Sequence, residues 1–319
     1  MSEKLLHKPP LRLKLIESQK APLFGKGLLL FSSKEFIELN KNRQVVNYSA
    51  QLSEDEPICN IGFDIEDNKA ISLLYCPYAG LSIPCKIDNK ILKTFIESIT
   101  KKLGSQGIKD IIIKQPPLFA EKNQKNGLDK ILKNCGFKVL SNEINHHIDL
   151  SKNNYLNSVH QMQQRKIKKC IQSGFVIKQE LINSLSEIHK FIDNCRSQVG
   201  IRINISPENL FTAFQNLPHY YKLFTVRNPD NQIMAATVVV IVNDRVVYNY
   251  LPAFDRTFKI YSPLTFLTHH LVDLYKKEGY QYLDLGISSA DGTPQKSLIT
   301  FKERMGGIES NRLVYHIEM

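Results

Sequence analysis

The chain has 319 residues, 42% hydrophobic and 23% charged, with a formal net charge of +11, the proportions of a soluble globular protein of about two domains. No apolar run approaches the roughly 18 residues that span a bilayer, and the Met1-Ser2-Glu3-Lys4 start lacks the apolar core of a secretory signal, so a cytoplasmic protein without stable membrane insertion is expected. Six cysteines, none in a CxxC pair, point to reduced thiols rather than disulfides or zinc.

Residues 1–57 carry little pattern beyond Ser33, placed to cap a short helix through Glu35, Phe36 and Leu39. Residues 58–66 and 70–75 read as strands joined at Asp67-Asn68, and 76–84 as a loop containing Pro77-Tyr78-Ala79-Gly80. Residues 87–103 repeat apolar side chains at helical spacing and stop at Gly104. The β-branched run 108–113 reads as a buried strand, Pro116-Pro117 breaks the chain, 128–134 is a helix stopped by Cys135-Gly136, and 137–150 is strand.

The second half begins with an amphipathic helix, 159–172, ended by Gly174. A strand at 175–179 and helices at 184–199 and 207–216 follow, then a meander of strands at 220–227, 232–242 and 245–253. Ser262-Pro263 opens a helix with serine as N-cap and proline at its first position; Leu264, Leu267, Leu271 and Leu274 form its apolar stripe, and Gly279 ends it. A strand at 280–285, a helix at 295–304 and a strand at 308–317 complete the chain.

This order repeats. Ile71–Tyr75 parallels Val246–Tyr250, 108–113 parallels 280–285, and 136–150 parallels 306–319, both ending in His-Ile-acid. The expectation is a duplicated domain, 1–150 and 151–319, of α/β (α+β) class, each copy a mixed twisted sheet flanked by helices.

The stretch "VVYNYLPAFDRTFKIYSPLTFLTHHLVDLYKKEGYQYLDLGISS" followed by "LITFKERMGG" resembles the Fem-type peptidoglycan bridge-forming aminoacyltransferases and the wider FemAB-like group of the GNAT superfamily. Shared features are a Tyr-rich strand, a Ser-Pro helix start, Gly-Tyr before an Asp-Leu-Gly strand end, and Phe-Lys near a terminal glycine. "QQRKIKKCIQSGF" is similar to that group's Arg-x-x-Ile-(Arg/Lys)-Lys-(Ala/Cys)-x-x-Ser-Gly segment. The resemblance covers about residues 58–319. It implies tandem GNAT-like domains with a degenerate N-terminal repeat. The active site is expected in the C-terminal repeat, with its pocket at the junction of the two. The activity implied is transfer of an acyl or aminoacyl group to a small-molecule amine, such as a cell-envelope precursor or amino sugar. The usual glycine-containing pyrophosphate loop is replaced by Phe254–Ser262, "FDRTFKIYS", so acyl-CoA and aminoacyl-tRNA both stay open as donors; no metal is expected. A non-catalytic ligand-binding protein on the same fold is the alternative from another class.

Arg165 and Lys169 lie four apart with Lys168 beside them, a helix face opposite Ile167 and Ile171 that can clamp phosphates or simply be solvated. Residues 151–179 hold six basic side chains and no acid. The helix start at Ser262 attracts anions, and Arg256 and Lys259 sit in the loop before it. Tyr248 and Tyr250 share a strand face, with Tyr220 on a neighbouring strand, and these are candidates to line the acceptor pocket. Asp284, a carboxylate inside an apolar strand, is placed to orient or deprotonate an amine. The resemblance implies that Lys302, of the Phe301-Lys302 pair, neutralises an oxyanion or donor phosphate, with Arg304 as a second cation. Asp284, Lys302 and Tyr248 are the expected catalytic set. The pairs His146-His147 and His269-His270 face opposite ways in turn and are read as structural.

Overall fold

A computed structural model describes residues 14–18, 29–39, 44–51, 57–73, 76–77, 79–83, 86–120, 127–152, 155–203, 205–290 and 292–319. The chain forms two compact units. One holds residues 1–116, 121–140 and 314–319; the other holds 117–120 and 141–313.

The first half runs β1 (Lys14–Ser18), α1 (Lys34–Glu38), β2 (Val45–Gln51), β3 (Pro57–Glu66), β4 (Lys69–Ile71), α2 (Asn89–Ser105), β5 (Asp110–Lys114), α3 (Leu128–Asn134) and β6 (Lys138–Asp149). Ser33 caps α1, its hydroxyl accepting from the Phe36 N–H at 3.2 Å. Asp67, with φ of 52°, makes the tight turn between β3 and β4. β4 stops at Ile71, short of the expected 75, because Leu73 turns to φ of 32° and its carbonyl takes the Cys76 N–H. The rest of that expected strand, Leu74 and Tyr75, lies outside the described residues, as do Tyr78 and Pro84 of the expected loop.

The second half runs α4 (Tyr155–Ser158), α5 (Gln161–Gln172), β7 (Val176–Glu180), α6 (Leu185–Ser197), α7 (Pro207–Asn216), β8 (Tyr221–Arg227), β9 (Ile233–Ile241), β10 (Val246–Asn249), β11 (Ala253–Phe254), α8 (Pro263–Lys277), β12 (Tyr282–Ile287), β13 (Ser289–Ala290), β14 (Thr293–Pro294), α9 (Lys296–Arg304) and β15 (Ile308–Glu318). The expected helix at 159–172 begins later, at Gln161. His160 caps it by accepting the Met162 N–H on Nδ1. The expected strand at 245–253 is broken into β10 and β11 around Pro252, which has no N–H to give the ladder.

In the first unit the strands neighbour one another as β1-β2-β3-β4-β5, antiparallel except for the parallel pair β4 and β5. In the second the order is β7-β8-β9-β10-β12, antiparallel except for the parallel pair β10 and β12. Each of these two sheets is a run of antiparallel strands that ends in one parallel pair. The sheet of each unit is extended by a strand from the other half of the chain. The end of β15 pairs with β5, with His316 opposite Ile112, and the end of β6 pairs with β12, with His147 opposite Asp284. The second unit packs α5 and α8 against the sheet through Val159, Cys170, Leu267, Leu271, Val239 and Leu283. Among the described residues, no helix is long and apolar enough to cross a membrane.

Candidate active site

Asp284 lies in β12 between Leu283 and Leu285 and is 0% exposed. The ladder is irregular just after it, and Gly286 adopts φ of 74°. This left-handed turn, open to glycine at little cost, folds the Gly286 N–H back onto Oδ1 of Asp284 at 2.8 Å. The Asn145 side chain on β6 donates to the same oxygen at 2.9 Å. Oδ2 has no hydrogen-bond partner among the described residues. Burial pushes the Asp284 carboxyl above its ordinary range, restrained by those two hydrogen bonds and by the charges of Lys302 and Arg312.

Lys302 reaches the same turn from α9. It is 5% exposed, and its Nζ donates to the carbonyls of Gly286 at 2.8 Å and Ile287 at 2.7 Å. Burial pulls its pKa down to about 7, with Asp284 acting in the opposite direction. Gly286 therefore links the pair: its N–H serves the carboxylate and its carbonyl serves the amine. A Cβ there would stand 3.1 Å from the Tyr248 ring and hydroxyl. Gly286→Ala is expected to cost about 1–3 kcal/mol of stability, readable from urea unfolding; an unchanged midpoint would contradict this account of the turn.

Tyr248 pairs with Asp284 across β10 and β12, and its ring centroid is 5.6 Å from that of Tyr250. Burial and the Asp284 charge push its phenol pKa up, while Arg312 and Arg196 act the other way. Tyr248, Tyr250 and Ile287 are the partly exposed members of the cluster. His146, opposite Gly286, is fully buried with Nδ1 2.9 Å from the Ser288 hydroxyl, and burial holds its pKa down to about 4. His147 stacks on Phe119 at 4.0 Å and is held down to about 4 for the same reason. Both are neutral rings packed within the sheet.

A second group forms where α5 meets the loop before α8. Lys169 Nζ lies 4.6 Å over the Tyr261 ring, and Lys166 Nζ donates to the Lys259 carbonyl at 3.3 Å. Arg165, Lys168, Arg256 and Lys259 are exposed. Ser262 occupies the N-cap position of α8 with Pro263 after it, but the expected capping hydrogen bond is not made. Its backbone is left-handed, with φ of 54°, and its hydroxyl pairs instead with that of Thr265 at 2.9 Å. The Thr265 hydroxyl in turn donates to Gln163 of α5 at 3.0 Å.

The structure thus brings Asp284, Lys302, Tyr248 and Tyr250 into one cluster. Lys169, Lys259 and Ser262 share another region with Lys166. Among the described residues, no hydrogen bond or ion pair joins Arg165 or Ser262 to Lys302. The two groups are related through the fold. The loop 255–262 leaves the carboxyl end of β10-β11, while Lys302 binds the last carbonyls of β12, and β10 and β12 are parallel. Both therefore lie at the end of the parallel pair where ligands of open α/β sheets bind. The His160 N–H donates to the Arg304 carbonyl at 2.9 Å, tying the start of α5 to the end of α9. The Arg304 side chain is exposed. Tyr220 lies outside the cluster: it is 38% exposed, and its phenol acts electrostatically on Tyr280, just past the end of α8. Asn145, Gly286, Arg196, Arg312 and Lys166 were not singled out from the sequence.

Residues 164–295 match the family described as an acetyltransferase (GNAT) domain. The matched residues contain Asp284, Tyr248, the α5 cations and the loop before α8; Asn145 and Lys302 lie outside them. Three solved structures share the fold at low identity. FemX is 11% identical with a TM-score of 0.69, covering 91% of this chain and 92% of its own. The L-PGS from Bacillus licheniformis is 10% identical with a TM-score of 0.59, covering 92% and 93%. A tandem GNAT protein from the clavulanic acid biosynthesis pathway is 9% identical with a TM-score of 0.54, covering 96% and 98%. No curated protein sequence matches the chain.

Proposed function

We propose that the protein is an N-acyltransferase that moves an acyl or aminoacyl group from a phosphate-bearing donor to an amine, with Asp284, Lys302 and Tyr248 as its reactive centre. The observation that carries this reading is the buried Asp284–Lys302 pair, joined through Gly286 and lying beside Tyr248 at the carboxyl end of the parallel strands. The acceptor amine attacks the donor carbonyl directly, so a C–N bond forms and the donor's C–S or C–O bond breaks. The Lys302 ammonium stabilises the oxyanion. Asp284, whose raised pKa makes it the stronger base, takes the proton the amine loses; the Tyr248 hydroxyl gives a proton to the leaving group, and the proton held by Asp284 replaces it, so both groups return to their starting states. Substrate meets the cluster on the side of Tyr248, Tyr250 and Ile287. Arg165, Lys169, Arg256 and Lys259, with the start of α8, hold donor phosphates; Arg304 serves as a further cation. An amino sugar or cell-envelope precursor is the acceptor class, as the resemblance of residues 246–289 to the Fem-type aminoacyltransferases implies. The protein works in the cytoplasm.

The test is incubation with labelled acyl-CoA or aminoacyl-tRNA and a panel of amino sugars and peptide amines. Transfer from one donor is expected. The Lys166→Ala/Lys169→Ala variant should raise the donor KM about tenfold at similar kcat, and a tRNA donor would add steep weakening with salt. Ligand binding without turnover by any donor would replace this reading with a non-catalytic one.

A further inference from the structure

We infer that Asn145 is a positioning residue of this centre: its amide pins Oδ1 of Asp284, leaving Oδ2 as the oxygen that receives the acceptor's proton. The inference rests on the transferase reading above. Asn145 is 2% exposed, and its Nδ2 sits 2.9 Å from Asp284 Oδ1 and 3.4 Å from the His146 carbonyl, so both amide protons face acceptors. With the Gly286 N–H, two donors converge on one carboxylate oxygen and none of the described residues donates to the other. The carboxylate cannot rotate without losing both bonds, and an arriving proton finds free lone pairs on Oδ2.

The repeated ladder separates function from fold. In the second unit His147 stands opposite Asp284, and Asn145 lies two residues before that histidine. In the first unit His316 stands opposite Ile112, and Val314 lies two residues before it. Where aspartate becomes isoleucine, asparagine becomes valine, and the strands pair all the same. The Asn-Asp pair is therefore not a requirement of the sheet. The charged and titratable groups acting on Asp284 from its neighbouring elements are Lys302 on α9, Arg312 on β15 and Tyr248 on β10; His146 and His147 on β6 are neutral.

The test uses the full chain carrying Asn145→Val, the residue of the other ladder, and Asn145→Ser, which keeps a donor. Asp284 is followed by carbon NMR of aspartate-labelled protein, with Asp284→Asn as the assignment control, and transfer is measured across pH. Asn145→Val should fold with little change in melting temperature and move the Asp284 titration up by about one pH unit. It should also lower kcat about tenfold at neutral pH, carry the acid limb of the rate profile upward, and leave KM within about twofold. Asn145→Ser should recover part of each effect. An Asp284 titration that stays in place, or a kcat unchanged at every pH, would overturn the inference. If the titration moves but the parent protein transfers nothing from any donor, the pinning stands and the transferase reading falls.

Discussion

Lys302→Met is expected to lower kcat/KM by about 10²–10³-fold, the usual consequence of removing one group that stabilises an oxyanion. Methionine is close to lysine in length and suits a site only 5% exposed, so the loss comes from the ammonium rather than from a cavity. The parent should show a second signature. With a pKa near 7, Lys302 loses its charge as pH rises through neutrality, and the parent rate should fall on that limb while the residual rate of the variant does not. Stability gives the same group an independent readout. The folded pKa lies below the ordinary lysine value of about 10.4. Between about pH 7 and 10.4 the unfolded chain therefore binds more protons than the folded one, and this group makes stability rise with pH across the window. Lys302→Met removes that rise, so the stability of the variant relative to the parent is highest below about pH 7 and declines towards pH 10. Urea unfolding at pH 6, 8 and 10 measures it. A parent whose rate ignores pH between 6 and 8, together with an active methionine variant, would remove Lys302 from the chemistry.

Much of the fold was legible because its punctuation is local. The helix expected at 207–216 coincides with α7, since Ser206 accepts the Asn209 N–H and Pro207 occupies the first turn. The helix at 128–134 ends where Gly136 takes φ of 92°. Boundaries shift where the local signal is atypical, as with the histidine N-cap at 160, or where a proline interrupts a β pattern, as at Pro252. Asp284 stood out as a carboxylate in an apolar strand, and Lys302 through its resemblance to a known pair. Asn145 could not be found in the same way, because its partner is 139 residues away and nothing local distinguishes it from any other strand asparagine. Tyr220 falls outside the strand expected for it: β8 begins at Tyr221, and Tyr220 sits in the turn before it. Helical spacing marks Arg165 and Lys169, but the α5 cation that hydrogen-bonds the loop before α8 is Lys166.

Asp284→Asn should cost about 10²–10⁴ in kcat with KM little changed, the range for loss of a general base. The substitution preserves shape and leaves one oxygen to accept from Asn145 and Gly286, so what it removes is the charge and the proton-accepting oxygen. The parent carboxyl has a raised pKa. Above the unfolded value of about 3.9 the folded chain therefore holds a proton that the unfolded chain has released, and stability falls as pH rises through that window. The asparagine variant lacks this fall, so its stability relative to the parent should improve from about pH 4 upward and level off above the pKa of Asp284. The two groups are also coupled. Asp284 is what opposes the burial-driven drop in the Lys302 pKa, so in Asp284→Asn the lysine should lose its proton below pH 7, and the double variant with Lys302→Met should cost less than the two single losses combined. Strictly additive losses would mean that the carboxylate and the amine act apart, and the shared turn at Gly286 would then be only a feature of the strand end.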